Sequence, residues 1–100
     1  MNKDEEIEKE IIEKGLVAPR ITIDDINNSI KEETFTVLPS RRTMICELTL
    51  RNGFTVRGES SCVSIENFDY DLGKKISKDD ARNKIWVLEA YLLKERLFEK

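Results

Sequence analysis

Histidine is absent from this chain, and with it goes the commonest general base and the commonest transition-metal ligand. Histidine-dependent triads and ordinary zinc sites are excluded. The two cysteines, Cys46 and Cys62, are too few and too far apart in sequence for a metal site or a disulfide framework. Four glycines and two prolines leave no glycine-rich phosphate loop and no low-complexity tract. No apolar run approaches the roughly 20 residues needed to cross a bilayer, and the first residues are acidic rather than basic and then apolar. These absences predict a cytoplasmic protein without a membrane partner. Nor is there much excess of one charge: 17 basic against 20 acidic side chains leave −3. No global field gathers a polyanion, so generic nucleic-acid binding is disfavoured.

What remains is one domain of 100 residues. A chain of this length buries roughly two-thirds of its unfolded surface, enough for a modest core but not for a deep, walled-off site. A ligand site is therefore expected to be shallow or shared between subunits. Residues 1–17 read as a charged helical arm and linker, and 18–100 as the domain proper. In the arm, residues 3 to 14 favour helix, with Ile7, Ile11 and Ile12 as a narrow apolar stripe and Gly15 as the stop. Leu16-Val17-Ala18-Pro19-Arg20 is expected to run extended, because the residue before proline avoids the helical region. A short second helix follows, capped by Thr22, with Asp24 and Asp25 in its first turn and Ile23, Ile26 and Ile30 along one face.

From Glu33 the period changes to two. Phe35 and Val37 alternate with threonines until Pro39-Ser40 turns the chain, and Met44, Cys46, Leu48 and Leu50 then mark a half-buried strand. A two-residue hairpin at Asn52-Gly53 would mix the two faces, setting Leu50 against Thr55. A three-residue loop, Arg51-Asn52-Gly53, with the glycine left-handed, keeps every pair on one face: Leu50 with Phe54, Leu48 with Val56, Cys46 with Gly58, Met44 with Ser60. Gly58, Ser60 and Cys62 then point inward, where their small size lets a helix come close. Arg57 faces outward beside Glu47. Neither cysteine lies opposite the other, which argues against a disulfide.

After the hairpin, Ser64 is expected to cap a helix carrying Ile65, Phe68, Leu72 and Ile76. The spacing breaks there, and Ser77-Lys78-Asp79-Asp80 looks like a fresh cap for a second helix with Ala81, Ile85, Leu88 and Leu92, ending near Phe98. At 1.5 Å per residue that last helix is roughly 30 Å long, more than a small sheet needs for cover. Its excess predicts a homo-oligomer. The fold class expected is α+β: a small antiparallel three-strand sheet with helices packed on one face and a long C-terminal helix.

The stretch from Ala18 to Leu97 resembles a family of small tailed-phage proteins named after the gene 49 and gene 66 products of two enterobacterial phages. The resemblance is carried by Ala18-Pro19-Arg20-Ile21-Thr22, Leu50-Arg51-Asn52-Gly53-Phe54-Thr55-Val56, Gly58-Glu59-Ser60, Cys62, Glu66-Asn67-Phe68-Asp69, Gly73, Lys84-Ile85-Trp86, Leu88, Tyr91 and Glu95-Arg96-Leu97. Ile65 stands where the family often has proline, and Ala90 where it usually has glycine. Such proteins are accessory phage genes without a common chemistry. The layout is also similar, more weakly, to phage proteins that block the Thoeris defence by sequestering a cyclic nucleotide signal without destroying it. What the resemblance implies is a non-enzymatic phage or prophage binding protein that interferes with host defence and needs no cofactor. Its expected partner is a small cyclic nucleotide-type signal or, alternatively, a host enzyme that it binds and inhibits.

The residues offer a candidate set for such a ligand. Arg57, Lys75, Arg82 and Lys84 can meet phosphates, and Asn67 can meet a base or ribose edge. Asp69 stands with Asn67 at the start of a helix, where free amides favour anions. Each also has an ordinary explanation: Arg57 paired with Glu47 on a solvated sheet face, Asn67 and Asp69 as capping and turn residues, the cations as a solvated helix face. Ser60 and Ser61 lack any base for nucleophilic work. Asp69/Asp71 and Asp79/Asp80 suit the first turns of helices without a metal. Trp86 belongs with the core or a subunit interface.

Overall fold

The computed structural model describes residues 3–15 and 18–99. The acidic arm forms α1, Lys3–Glu13, which stops as expected at Gly15, with a φ of 68° and its amide on the Ile12 carbonyl. Ile11 is half-buried while Ile7 and Ile12 are exposed, so the apolar stripe anchors the arm weakly. Charge adds to it: Glu8 meets Arg20 at 2.5 Å. The same contact holds the Arg20 guanidinium more firmly protonated than usual. The extended linker expected at Leu16-Val17 lies outside the described residues.

Helix α2, Ile23–Ser29, opens on a capping box in which Thr22 and Asp25 exchange side-chain bonds with each other's amides. Ile26 and Ser29 are its buried residues. Sequence periodicity places Ile30 on this helix, but the structure makes it the first residue of strand β1, Ile30–Val37. Its pairing with Leu50 and the bond from the Arg51 amide to the Ser29 carbonyl draw it into the sheet. These are long-range gains that a local period does not register.

Strands β2, Thr43–Leu50, and β3, Thr55–Ser61, complete an antiparallel three-strand sheet in the order β1-β2-β3. In β2 the alternation is complete: Met44, Cys46, Leu48 and Leu50 are buried and the residues between them half-buried. The β2–β3 register is the one the three-residue loop predicts, with Met44 opposite Ser60, Cys46 opposite Gly58 and Leu48 opposite Val56. Gly53 has a φ of 91°, and Leu50 donates to the Phe54 carbonyl at 2.8 Å. Both cysteines are free. Burial among apolar neighbours pushes the Cys46 thiol pKa up to about 11.

The helices after β3 differ from expectation. Ser64 makes no side-chain cap, and Ile65–Asn67 is a single 3-10 turn. Asp69 is the cap: its carboxylate accepts the Leu72 amide at 3.0 Å. From there one unbroken helix, α3, runs Tyr70–Phe98. Ser77 does not start a second helix. It is fully buried inside α3, and its hydroxyl donates to the Gly73 carbonyl at 2.7 Å, so the serine satisfies itself within the preceding turn.

Gly73, Ser77, Ala81 and Ile85 form the buried row of α3, spaced four apart and small at three positions. They lie on the inner face of the sheet, where Gly58 has no Cβ. A Cβ there would collide with the Ala81 amide nitrogen and the Ser77 carbonyl oxygen. Ile26, Cys46, Leu48, Leu50, Val56, Ala81 and Ile85 make the core, with Trp86 packed against it as expected.

Two α3 side chains also close the free edge of β3. Asp80 accepts the Glu59 amide at 3.0 Å, and the Lys84 ammonium donates to the Arg57 carbonyl. An edge so occupied is poorly suited to pairing with another strand. No helix among the described residues is long and apolar enough to cross a membrane.

Candidate functional site

Along α3, Lys75, Lys78 and Arg82 recur at three- and four-residue spacing, which puts them on one side of the helix, and Asn83 follows Arg82 directly. With Asn27 of α2 and Asp4 of α1 they line an open groove of about 680 Å³. That volume lies within the range of small-molecule sites. Lys78 is braced from the sheet by Glu33 at 2.7 Å, while Lys75 makes no ion pair among the described residues and stays exposed.

Arg82 is the unusual member. Its side chain is only 13% exposed, with Asp79 at 3.7 Å and Asp4 at 3.8 Å. Both separations exceed a hydrogen bond, and among the described residues its buried Nε has no partner. A guanidinium offers five donors in a planar fork, and leaving one buried and unmade costs about 1–3 kcal/mol. The site therefore holds a cation whose local carboxylates are too distant to satisfy it. Arg20 shows the same deficit at one nitrogen, Nη1, although Glu8 occupies the other end of its fork.

Of the candidates read from the sequence, Lys75 and Arg82 share this groove. The other four lie elsewhere. Arg57 sits on the outer sheet face, with Nη1 3.4 Å from Glu47 Oε2, the ion pair the register predicts. Lys84 is engaged at the β3 edge. Asn67 and Asp69 border a pocket of about 110 Å³, well below the size of a nucleotide site. There the Asp69 carboxylate itself occupies the helix start, so the anion attracted to those amides is part of the chain. Lys74, another cation of that run, lies 5.0 Å from the centre of the Phe35 ring and 5.6 Å from that of Tyr70.

Lys78, Asn83 and Asn27 were not singled out from the sequence. The signal for Lys78 was present in its spacing from Lys75 and Arg82, and that for Asn83 in its place beside Arg82, but dividing the helix at Ser77 hid it. Asn27 comes from another helix and has no sequence signal.

Two further grooves fit an anion less well. One of about 770 Å³ between α1 and α2 is lined by Glu5, Glu8, Glu13 and Asp24 with one cation, Lys9. The other, about 420 Å³, lies between the hairpin tip and the end of α3; it holds Arg51 and Arg96 beside Glu89, but its wall is largely apolar, with Phe54, Leu88 and Leu92. No group of three or more metal-ligating side chains converges among the described residues.

A long helix laid over a three-strand antiparallel sheet, with a groove on the helix flank, defines a small α+β protein. Over residues 21–97 the chain matches the phage protein (N4 Gp49/phage Sf6 gene 66) family, and it belongs to that family. The match covers α2, the whole sheet and nearly all of α3; α1 lies outside it. No curated protein and no solved structure matches the chain.

Proposed function

We propose that this phage protein is a non-enzymatic accessory factor that interferes with a host defence in the cytoplasm of the infected cell. It does so by holding a nucleotide-type signal through its phosphates. One observation carries the reading: among the described residues the Arg82 guanidinium, largely buried in the wall of a 680 Å³ groove, has an unpartnered Nε and no carboxylate within hydrogen-bonding distance. A phosphate oxygen meets that fork better than Asp4 or Asp79 does. Lys75 and Lys78 add charge beside it, and Asn27 supplies an amide for a base or ribose edge. Release of intact ligand, rather than turnover, is the expected behaviour.

The test is a thermal-shift series of the full chain against linear and cyclic nucleotides, with chromatographic recovery of the bound compound. Occupancy at a hundred times the dissociation constant adds about 2.7 kcal/mol, a shift of several degrees in a domain of this size. Arg82→Lys should abolish most of that shift, because an ammonium cannot supply the planar fork. A panel without any shift sinks the reading, and recovery of a cleaved product replaces it with an enzyme.

A second reading rests on the two sheet edges. The β3 edge is closed by Asp80 and Lys84, while β1 is the other edge of the sheet and most of its residues are exposed. An interaction module that binds and inhibits a host enzyme would add a strand of its target to β1. Replacing Phe35 by proline removes one β1 amide, and loss of host-protein capture with the nucleotide response intact would favour this reading.

A further inference from the structure

On α3 a second row of residues runs beside the buried one: Ile76, Asp80, Asn83, Val87, Tyr91, Lys94 and Phe98. The steps between them are four, three, four, four, three, four, so they make one continuous stripe. It lies one residue back from Ser77 and Ala81, about 100° around the helix from the buried row. Its large apolar members are open: Ile76 is 46% exposed, Val87 70%, Tyr91 68% and Phe98 80%.

The order of steps reads the same in both directions about Val87. We propose that this stripe is a homodimer interface in which α3 packs antiparallel against α3 of a second copy, with the two-fold axis passing beside Val87. An isologous interface requires that residue i meet residue j and j meet i. With Val87 against Val87 of the second copy, Asn83 faces Tyr91, Asp80 faces Lys94 and Ile76 faces Phe98, each pair occurring twice.

The chemistry of these pairs selects a second copy as the occupant. Apolar side chains meet apolar ones at the centre and at both ends. The acid meets the base. Asn83 meets the Tyr91 hydroxyl. Lys94 makes no ion pair, and neither Asn83 nor Tyr91 makes a hydrogen bond, among the described residues. Asp80 uses Oδ2 for the Glu59 amide, which leaves Oδ1 for Lys94. A parallel arrangement in register would instead set Asp80 on Asp80 and Lys94 on Lys94.

The length of α3 agrees. Twenty-nine residues span about 43 Å, whereas the longest strands, eight residues each, span about 27 Å. The surplus carries Tyr91 and Phe98 of the stripe, both exposed, and a second helix is the element that covers such a row without disturbing the buried one.

The experiment uses the full chain and needs no nucleotide, and its deciding charge pair, Asp80 with Lys94, lies outside the groove. Sedimentation should give a dimer. Lys94→Asp should weaken it about tenfold or more, since two attractive pairs become repulsive, and Asp80→Lys with Lys94→Asp should restore it. Lys94→Asp leaves the Asp80 bond to Glu59 untouched, so its effect is read in a folded protein. In a Cys62→Ser background, an Asn83→Cys chain mixed with a Tyr91→Cys chain should form the mixed disulfide, and Asn83→Cys alone should not cross-link. A monomer at all concentrations overturns the proposal. So does a dimer indifferent to Lys94→Asp, or one that cross-links through Asn83→Cys alone.

Discussion

The two halves of α3 are built from similar residues and have opposite fates. From Gly73 to Ile85 the helix presents Gly73, Ser77, Ala81 and Ile85 to the sheet, and all four are buried. From Val87 to Phe98 it carries larger apolar side chains, yet Val87, Tyr91, Leu92, Leu97 and Phe98 are exposed. Size decides the first half: small residues on the helix above Gly58 on β3 let two backbones approach until a single methyl group would not fit. The second half outruns the sheet: Leu88 still packs against the core, but these five side chains remain open. A row of that kind marks an interaction face rather than a core.

The contrast can be broken most sharply at Ile85, where the buried half ends. Ile85→Ala should cost about 2–5 kcal/mol, read as a lowered midpoint in urea. Gly58→Ala should cost about 3 kcal/mol, because the new methyl meets the α3 backbone at Ser77 and Ala81 and α3 must lift as a unit. Crystallography of that variant should find the helix displaced from β3 rather than a rotated side chain.

Alkaline pH tests the same buried seam chemically. The Cys46 thiol is raised from 9.0 to about 11 by burial, so the folded state holds a proton that the unfolded chain releases earlier. The stabilisation is complete below about pH 9 and is lost as the pH climbs through 11. Cys46→Ala should be less stable at neutral pH but lack that alkaline decline. Smaller effects belong to the open half. Phe98→Ala should change the stability of a monomeric Lys94→Asp background by no more than about 0.5 kcal/mol, as at an ordinary surface position. Smallest of all is Gly73→Ala: its Cβ would meet the Met44 side chain at 3.5 Å, an ordinary contact, and helix propensity offsets any cost to within about 1 kcal/mol.

Much of this architecture is legible in the chain because it depends on neighbours in sequence. The face alternation of β2 decided between two hairpin loops and led to the observed register. Thr22 and Asp25, three residues apart, specify their own capping box. Ile30 was misassigned because its strand partner, Leu50, is twenty residues away. Ser64 and Ser77 were misassigned as caps because a serine before acidic residues has the same local signature whether it starts a helix or lies within one. Burial under β3 and the bond to the Gly73 carbonyl distinguish the two cases for Ser77.

The groove follows the same division. Lys75 and Arg82 could be named as phosphate ligands from charge and spacing, and they share one wall. Arg57, Lys84, Asn67 and Asp69 carry equally suitable chemistry but are separated by the packing of α3 across β3, which commits Lys84 to the strand edge and Asp69 to the helix start. By itself, the sequence determined the α+β class, the strand faces, the hairpin loop and the absence of histidine chemistry, because periodicity and composition act locally. Only the tertiary structure decided that α3 is continuous, which cations remain free, and which apolar row is left open. Those outcomes depend on where one long helix crosses the sheet, and that crossing is set by contacts between residues far apart in the chain.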